Sequence, residues 1–385
     1  MGQDLWRHDV PLKLLFTFRS GTSRPSLVSS GNIPVMGASG RIGFSSVSNS
    51  SGSALLIGRV GTVGNVTACE PPFWASDNVI VATPKPGLDF RFAYYCLLAQ
   101  QLHTHASETA QPLLTASSIG ELRIDLPPEP EQSRIADFLE AEVPALRRAS
   151  DLATRQMQLV DERETCLLQE AIAVSDAPYV PIKRMVSRLT SGPRGWGTML
   201  AEAGTPFIRI TNIPRRGIDL DLSNLAYVNV PASAERERTR TRSGDVLVSI
   251  TADIGSVGIV EELGVDGNVS QHVALLRPVV EKCLPRWLAY AIKAPTTNAS
   301  LTMTSYGGTK VGLGLSDVAE TLIPVPSLAD QEARVQRVDE AMRWADSMRV
   351  ALTRRRGLFA ERQRALIADA VAGRFDVTTA REVEA

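Results

Sequence analysis

Four histidines, four cysteines and one run of alternating arginines hold most of the chemistry this 385-residue chain could perform. Acid–base or nucleophilic catalysis needs partners within hydrogen-bond reach of one another. His8 lies near the start, His103 and His105 close a helix-like stretch, and His272 stands alone in a strand-like run. No Ser-His-Asp grouping or activated carboxylate pair can be picked out. Cys69, Cys96, Cys166 and Cys283 are scattered without a CxxC pair, so they read as core or surface thiols, with no metal site. No GxxxxGK[ST] loop occurs, and GGTK at Gly307–Lys310 has the wrong spacing for a phosphate cradle. GRVGTVGNV holds GxxGxxG in place of GxGxxG, with no helix clearly after it. The Asn-Pro-Pro-aromatic tetrapeptide that adenine methyltransferases use is also missing. The expectation is a chain without a catalytic site or cofactor of its own.

What remains is hydrogen-bond donation. In AERERTRTRSG, Ala234–Gly244, the side chains of Arg236, Arg238, Arg240 and Arg242 recur at every second position. A strand or extended loop would show all four on one face, as a phosphate-contacting edge. The competing reading is a solvated loop with Glu235 and Glu237 opposite. A net charge of −1 means that any DNA-binding surface must be segregated from the acidic remainder.

The elements that would position such groups are written twice. Leu139, Leu146, Ala153, Val160 and Leu167 form a seven-residue stripe in a long helical run from Glu131 to Ile172. Val338, Ala345, Leu352, Phe359 and Leu366 form a second, each 199 residues after its counterpart (338 against 139). Heptad stripes are coiled-coil seams, so the two helices are expected to pack on each other. Pro144 should kink or restart the first of them near Ala145.

Between the helices the halves repeat their order. VPLK at Val10 is echoed by VPIK at Val180, and SSIGELRIDLP at Ser117 by SDVAETLIPVP at Ser316. DVLVSITADIGSVGIV matches SALLIGRVGTVGNV at an offset of 194, setting Gly255 on Gly61 and Gly258 on Gly64 as tight turns. Ala54–Val60, Gly61–Val66 and Asn78–Ala82 read as strands, and Asp89–His103 as an amphipathic helix. Tyr94, Tyr95, Trp287 and Tyr290 lie at helical spacing and read as core.

Hydrophobic content of 44% and charged content of 22% fit a soluble protein of two domains. No apolar run approaches the roughly 20 residues of a membrane span, and MGQDLWRHDVPLK lacks a secretory pattern, so a cytoplasmic location is expected.

In this order the motifs resemble the specificity subunit of type I restriction-modification systems, over about residues 5 to 377. The resemblance rests on FIRITNI (Phe207–Ile213), GDVLVSIT with IGSVG (Gly244–Gly258), NVSQHVALLRP (Asn268–Pro278) and GGTKVGLGLSDV (Gly307–Val318). It rests also on the helix entries PPEPEQSRI and PVPSLADQEARV and the ending ALIADAVAGRFDV. It implies an α+β fold of two duplicated α/β target recognition domains, 1–128 and 176–326, joined by spacer helices, 129–175 and 327–377, in an antiparallel coiled coil. Residues 378–385 are left as a tail. It further implies a non-catalytic subunit that reads a bipartite, asymmetric double-stranded DNA target, one domain per half-site. The helices would space the domains and dock two methyltransferase subunits, which carry S-adenosylmethionine, with motor or nuclease restriction subunits as further partners. The alternative is a non-catalytic scaffold, or the recognition subunit of a related phage-defence system.

Base readout uses forked donors and amides, while phosphates take Lys, Arg, Ser and Thr. On that chemistry the DNA-contacting candidates of the first domain are Ser39, Arg41, Arg59, Asp77, Asn78, Thr109 and Gln111. Those of the second are Arg194, Trp196, Arg209, Asn212, Arg215, Gln271, His272, Tyr306, Thr309 and Lys310. For each the bland alternative is a turn residue or an exposed polar group. The first domain is the shorter and has no counterpart of the arginine run, so the half-sites should differ.

Overall fold

The computed structural model describes residues 5–23, 25–27, 31–107, 112–261, 267–304 and 312–374. It divides into two compact units, Met1–Thr154 with Thr353–Ala385, and Arg155–Leu352. In chain order the first repeat has β1 (Arg7–Pro11), α1 (Leu12–Leu15), β2 (Phe16–Ser20), β3 (Ile33–Gly37), β4 (Gly40–Ser45) and β5 (Ala54–Gly58). It continues with β6 (Val66–Cys69), β7 (Trp74–Ala75), β8 (Val79–Pro84), α2 (Phe90–Ala99), α3 (Ala116–Gly120) and β9 (Arg123–Leu126). The long helix α4 (Glu129–Ile172) follows.

The second repeat has β10 (Tyr179–Pro181), β11 (Val186–Ser191), β12 (Leu200–Ala201), β13 (Thr205–Ile208), β14 (Ala226–Val228), α5 (Ala234–Arg238) and β15 (Val246–Ser249). Then come β16 (Val257–Ile259), β17 (Asn268–Val269), β18 (Val273–Pro278), α6 (Pro285–Lys293), α7 (Pro295–Thr304), α8 (Leu315–Glu320), β19 (Leu322–Pro324) and the long α9 (Leu328–Val371).

The duplication is visible in the pairing. One sheet runs β2-β8-β5-β6 and its counterpart β11-β18-β15-β16. The smaller sheets are β4-β3-β7 and β12-β14-β13-β17, and β3·β7 and β13·β17 are parallel pairs in their respective units. Strand pairs β1·β9 and β10·β19 tie the start of each repeat to the strand before its long helix.

Apolar runs without alternation explain why the central strands are buried on both faces. Leu55, Ile57, Ile80 and Ala82 face Phe92, Cys96 and Leu97 of α2. Ala54, Leu56, Val79 and Val81 face Met36, Phe73 and Ala75 of the smaller sheet. The second unit repeats this, with Val246, Val248 and Leu276 against Trp287 and Leu288, and Leu247, Val273 and Leu275 against Ile208 and Val269. Helix, sheet and small sheet thus form three layers in each unit. Tyr95, Trp287 and Tyr290 are buried and Tyr94 is half-buried.

Several expectations are corrected. Pro144 neither breaks nor restarts α4, which is one helix of 44 residues. A proline removes one N–H donation and crowds the carbonyl four residues back, but Leu139 and Val143 hold this stretch in the core beside Ile367 and Ala370 of α9. The division between the two units falls inside the long helices, at Thr154/Arg155 in α4 and Leu352/Thr353 in α9. Gly61–Val66 is a turn, and the strand starts only at Val66. The arginine run is not extended: Arg236 and Arg238 lie on the short helix α5. Arg236 donates to Thr205 Oγ1 at 3.1 Å, Arg238 to Ser191 O at 3.1 Å and to Thr190 Oγ1, and Arg242 pairs with Glu237 at 3.6 Å. No common basic edge results.

The glycine register also moves. Gly64 and Gly255, both at positive φ, donate N–H to the last residues of equivalent strands, Gly58 O at 2.8 Å and Ser249 O at 3.0 Å. Gly255 therefore corresponds to Gly64, at an offset of 191 in place of 194, because the chain from β6 to β7 is three residues shorter than the chain from β16 to β17. Gly258 is not a turn residue: it lies in β16, where a Cβ would meet the Leu220 side chain at 2.4 Å.

In the second unit α9 runs antiparallel to α4. Arg349 pairs with Asp161 at 2.8 Å, while Arg334 donates to Ala171 O at 2.8 Å. Of the two stripes, Leu139, Ala153, Val160, Val338, Ala345 and Leu352 are buried, and Leu146, Leu167, Phe359 and Leu366 are half-buried. Val335 and Met342 fill the alternate buried positions, and a Glu164–Arg349 pair takes the next one.

Candidate nucleic-acid interface

Parallel pairing puts the segments that follow two strands at the same end of a sheet. In the first unit β3 and β7 pair with Met36 opposite Ala75. The β3–β4 turn with Ser39 and the turn with Asp77 and Asn78 therefore share one end. Backbone and side-chain bonds weld the loop after β5 between them: Arg59 N–H donates to Asn78 O at 3.0 Å, and Asn65 Nδ2 to Ala38 O at 3.2 Å. Leu114 N–H adds the segment before α3 by donating to Arg59 O at 3.1 Å.

The second unit builds the same knot. With β13 and β17 paired, Ser270 N–H donates to Ile208 O at 2.9 Å, matching Ser76 N–H to Met36 O at 3.0 Å. Ile250 N–H donates to His272 O at 3.0 Å and Leu313 N–H to Ile250 O at 2.8 Å. Gly192 and Gly21 close each knot: a Cβ on Gly192 would lie 2.0 Å from Val269 O, and one on Gly21 1.9 Å from Ser76 O. Only glycine admits so close an approach of two chains.

The candidates distribute unevenly over these clusters. Ser39, Asp77 and Asn78 are exposed at the first, and Arg41 is exposed with its guanidinium 4.9 Å above the Phe44 ring. Arg59 is half-buried, its backbone engaged on both sides. At the second, Gln271 is exposed and His272 half-buried. Arg194 is exposed in the turn after Gly192. Arg215 is 83% exposed and pairs with Asp253 at 3.0 Å. Thr109, Gln111, Tyr306, Thr309 and Lys310 lie outside the described residues.

Trp196 and Asn212 are spent inside the fold, and Arg209 is half-buried. Trp196 is 6% exposed and packs with Phe207, ring centroids 6.4 Å apart. Asn212 is 1% exposed: Oδ1 accepts from Arg209 N–H at 3.0 Å and Nδ2 donates to Asp221 O at 2.9 Å. Arg209 Nη2 donates to Asn224 O at 3.3 Å. FIRITNI therefore shapes its loop, with the Asn212 amide enclosed by backbone and the half-buried Arg209 held against Asn224.

Other polar groups escaped the sequence reading. Arg286 on α6 clamps Asp339 on α9 at 2.8 Å, and Arg91 on α2 binds Glu140 on α4 at 3.0 Å, the equivalent place. Burial and its hydrogen bond to Asp339 push the Tyr290 hydroxyl up. Lys293 donates to Arg215 O at 3.0 Å, and burial pulls its ammonium down to about 8. Recurrence in both halves was the available signal for the Arg–carboxylate clamps; Lys293 offers none. Near Lys293, a cavity of about 260 Å³ is lined by Arg215, Arg216, Asp161 and Asn298. Its arginines are already held by Asp253 and Asp161. Among the described residues no His, Cys, Asp and Glu cluster could hold a metal ion, and no helix is long and apolar enough to cross a membrane.

Residues 9–144 and 202–346 match the family described as type I restriction modification DNA specificity domain. Over 323 residues the chain is 21% identical to the Escherichia coli type I restriction enzyme EcoBI specificity subunit, covering 76% of this chain and 68% of that one. A 108-residue stretch is 33% identical to the EcoprrI specificity subunit of the same species, covering 28% of this chain and 27% of that one. In fold the chain is similar to one solved in work on the assembly and conformational transition of the type I R-M system. That likeness has a TM-score of 0.74 at 16% identity, over 97% of this chain and 100% of the other. It is also similar to the HsdS subunit from Thermoanaerobacter tengcongensis, with a TM-score of 0.51 at 16% identity, over 96% and 97%. With two equivalent loop clusters on two repeated units and the family matched in both, the chain belongs to the type I restriction modification DNA specificity family, a specificity subunit with two target recognition domains.

Proposed function

We propose that this subunit reads a bipartite double-stranded DNA target, with one loop cluster for each half-site, and leaves the chemistry to other chains. The observation that carries the reading is one hydrogen-bonded knot built twice with different exposed side chains. Ser39, Arg41, Asp77 and Asn78 stand on one copy, and Arg194, Gln271 and His272 on the other. A shared scaffold with divergent tips suits two different half-sites. The side chains of these tips include donors and acceptors that meet base edges and phosphates.

Two methyltransferase subunits are the proposed partners, docking on α4 and α9 and carrying S-adenosylmethionine for adenine methylation. Motor or nuclease restriction subunits would join the same assembly. Partner subunits would also supply the positive charge that this chain, at −1, lacks for gripping phosphates.

The test is co-expression with a type I methyltransferase subunit from the same source, followed by modification-sensitive sequencing of the host genome. The expected result is a co-purifying complex and one split motif carrying methylated adenine. A chain that neither binds the methyltransferase nor directs it to a motif would overturn the proposal.

A further inference from the structure

The turns that follow β7 and β17 hold the exposed pair Asp77–Asn78 in one unit and, in the other, the exposed Gln271 beside the half-buried His272. Both turns begin with a serine bonded to the neighbouring parallel strand, so Gln271 and Asp77 occupy equivalent places. Gln271 is not a loose surface amide. Its Nε2 lies 2.9 Å from His272 Nε2, and His272 Nδ1 lies 2.9 Å from Thr251 Oγ1. The His272 carbonyl is fixed in turn by Ile250 N–H at 3.0 Å.

An amide nitrogen can only donate, so the facing imidazole nitrogen accepts, and the ring proton sits on Nδ1, donated to Thr251. One Gln271 N–H is therefore consumed. The second N–H and Oε1 remain for an outside partner. One donor beside one acceptor is the complement of adenine, whose major-groove edge shows N7 as acceptor and the N6 amine as donor. It does not match guanine, which shows two acceptors there. At the same place in the first unit, the Asp77 carboxylate offers acceptors alone, the complement of the cytosine N4 amine.

We infer that this turn is a base-reading position in each unit, with Gln271, positioned by His272, reading the adenine of an A·T pair and Asp77 reading cytosine. The inference rests on the proposed DNA-recognition role and names part of what that role reads.

Pre-ordering by His272 matters because a free glutamine loses rotamer freedom on contact and offers either end of its amide. Once His272 is removed, the amide turns over and presents its two N–H groups as readily as the mixed pair. His272 is thus a positioning residue. Its removal should blur one position of the motif without removing the phosphate-driven part of binding.

The experiment uses the full chain in complex with its methyltransferase, reading the methylated motif by modification-sensitive sequencing for wild type, Gln271→Ala, His272→Ala and Asp77→Ala. Wild type must first give a split motif; failure at that point counts against the proposed function. Gln271→Ala is expected to lose about tenfold of the preference for adenine at one position of one half-site, leaving the other half-site unchanged. His272→Ala is expected to relax that same position while unfolding at the wild-type temperature. Asp77→Ala should relax one position in the opposite half-site. If a variant abolishes methylation, binding of its folded complex to duplexes varied one base at a time supplies the same readout. An unchanged base profile for Gln271→Ala, by either measurement, would overturn the inference. So would loosening at every position equally, which marks a backbone-positioning role.

Discussion

Gln132 and Gln331 stand 199 positions apart and make the same three hydrogen bonds. Gln132 Oε1 accepts from Asp89 N–H at 2.8 Å, while Nε2 donates to Gly87 O at 3.1 Å and Pro127 O at 2.9 Å. Gln331 Oε1 accepts from Leu284 N–H at 2.8 Å, while Nε2 donates to Lys282 O at 3.2 Å and Pro326 O at 2.9 Å. Each amide is 1% exposed or less. It joins the first turn of a long helix to the start of the short helix packed on it and to the proline just before.

Removing either amide strands buried backbone groups, each costing about 1–3 kcal/mol when left unpaired. Gln132→Ala should destabilise the first unit by about 2 kcal/mol or more, with amide exchange rising in α2 and the start of α4. Gln331→Ala should do the same in α6 and the start of α9. Hydrogen exchange resolved by peptide separates the two effects, and an equal response of both units to one substitution would contradict the assignment.

Asn212→Ala tests whether FIRITNI reads bases or shapes its loop. The side chain is buried and satisfied by the backbone of Arg209 and Asp221. The expected outcome is a loss of about 2 kcal/mol in urea unfolding, with the base preferences of the surviving folded complex unaltered. A changed motif at wild-type stability would assign Asn212 to DNA contact after all.

Pro144→Ala should stabilise the chain. A helix-interior proline costs about 3 kcal/mol against alanine, and α4 is continuous around it. A rise in unfolding temperature is expected. A fall would show that the ring contributes packing worth more than the missing hydrogen bond.

Lys293 gives a pH signature. Burial lowers its folded value to about 8 from 10.5, so the unfolded chain binds the extra proton between those limits. Stability therefore rises with pH across that window, by up to about 1.4 kcal/mol per unit, and the penalty is fully present below about pH 8. Lys293→Met should remove this slope and raise stability at pH 7. Urea titrations from pH 7 to 10.5 make the comparison, and a slope that survives the substitution would assign it to other groups.

How much of this was legible before folding depends on the kind of signal. The duplication, the long helices and the apolar strands were open to reading because periodicity and repetition are local and survive divergence. The glycine register was misread by three residues. A gap in one loop is invisible in short motifs, whereas the hydrogen bonds of Gly64 and Gly255 fix it. Of the four arginines from Arg236 to Arg242, the fold put Arg236 and Arg238 on a short helix, while Arg240 and Arg242 both pair with Glu237.

By itself, then, the sequence determined that two copies of one α+β unit are joined by long heptad helices, since hydrophobic period dictates which faces must be buried. Only the tertiary structure decided which polar side chains remain available. Asn212 and Gln271 are both amides in family motifs, yet one is enclosed by the backbone of its own loop and the other is held outward by His272. Whether a donor is spent inside or offered outside depends on how the loop around it is folded. Spacing along the chain does not show that fold, nor that the pairing of β13 with β17 brings the two loops to one end of a sheet.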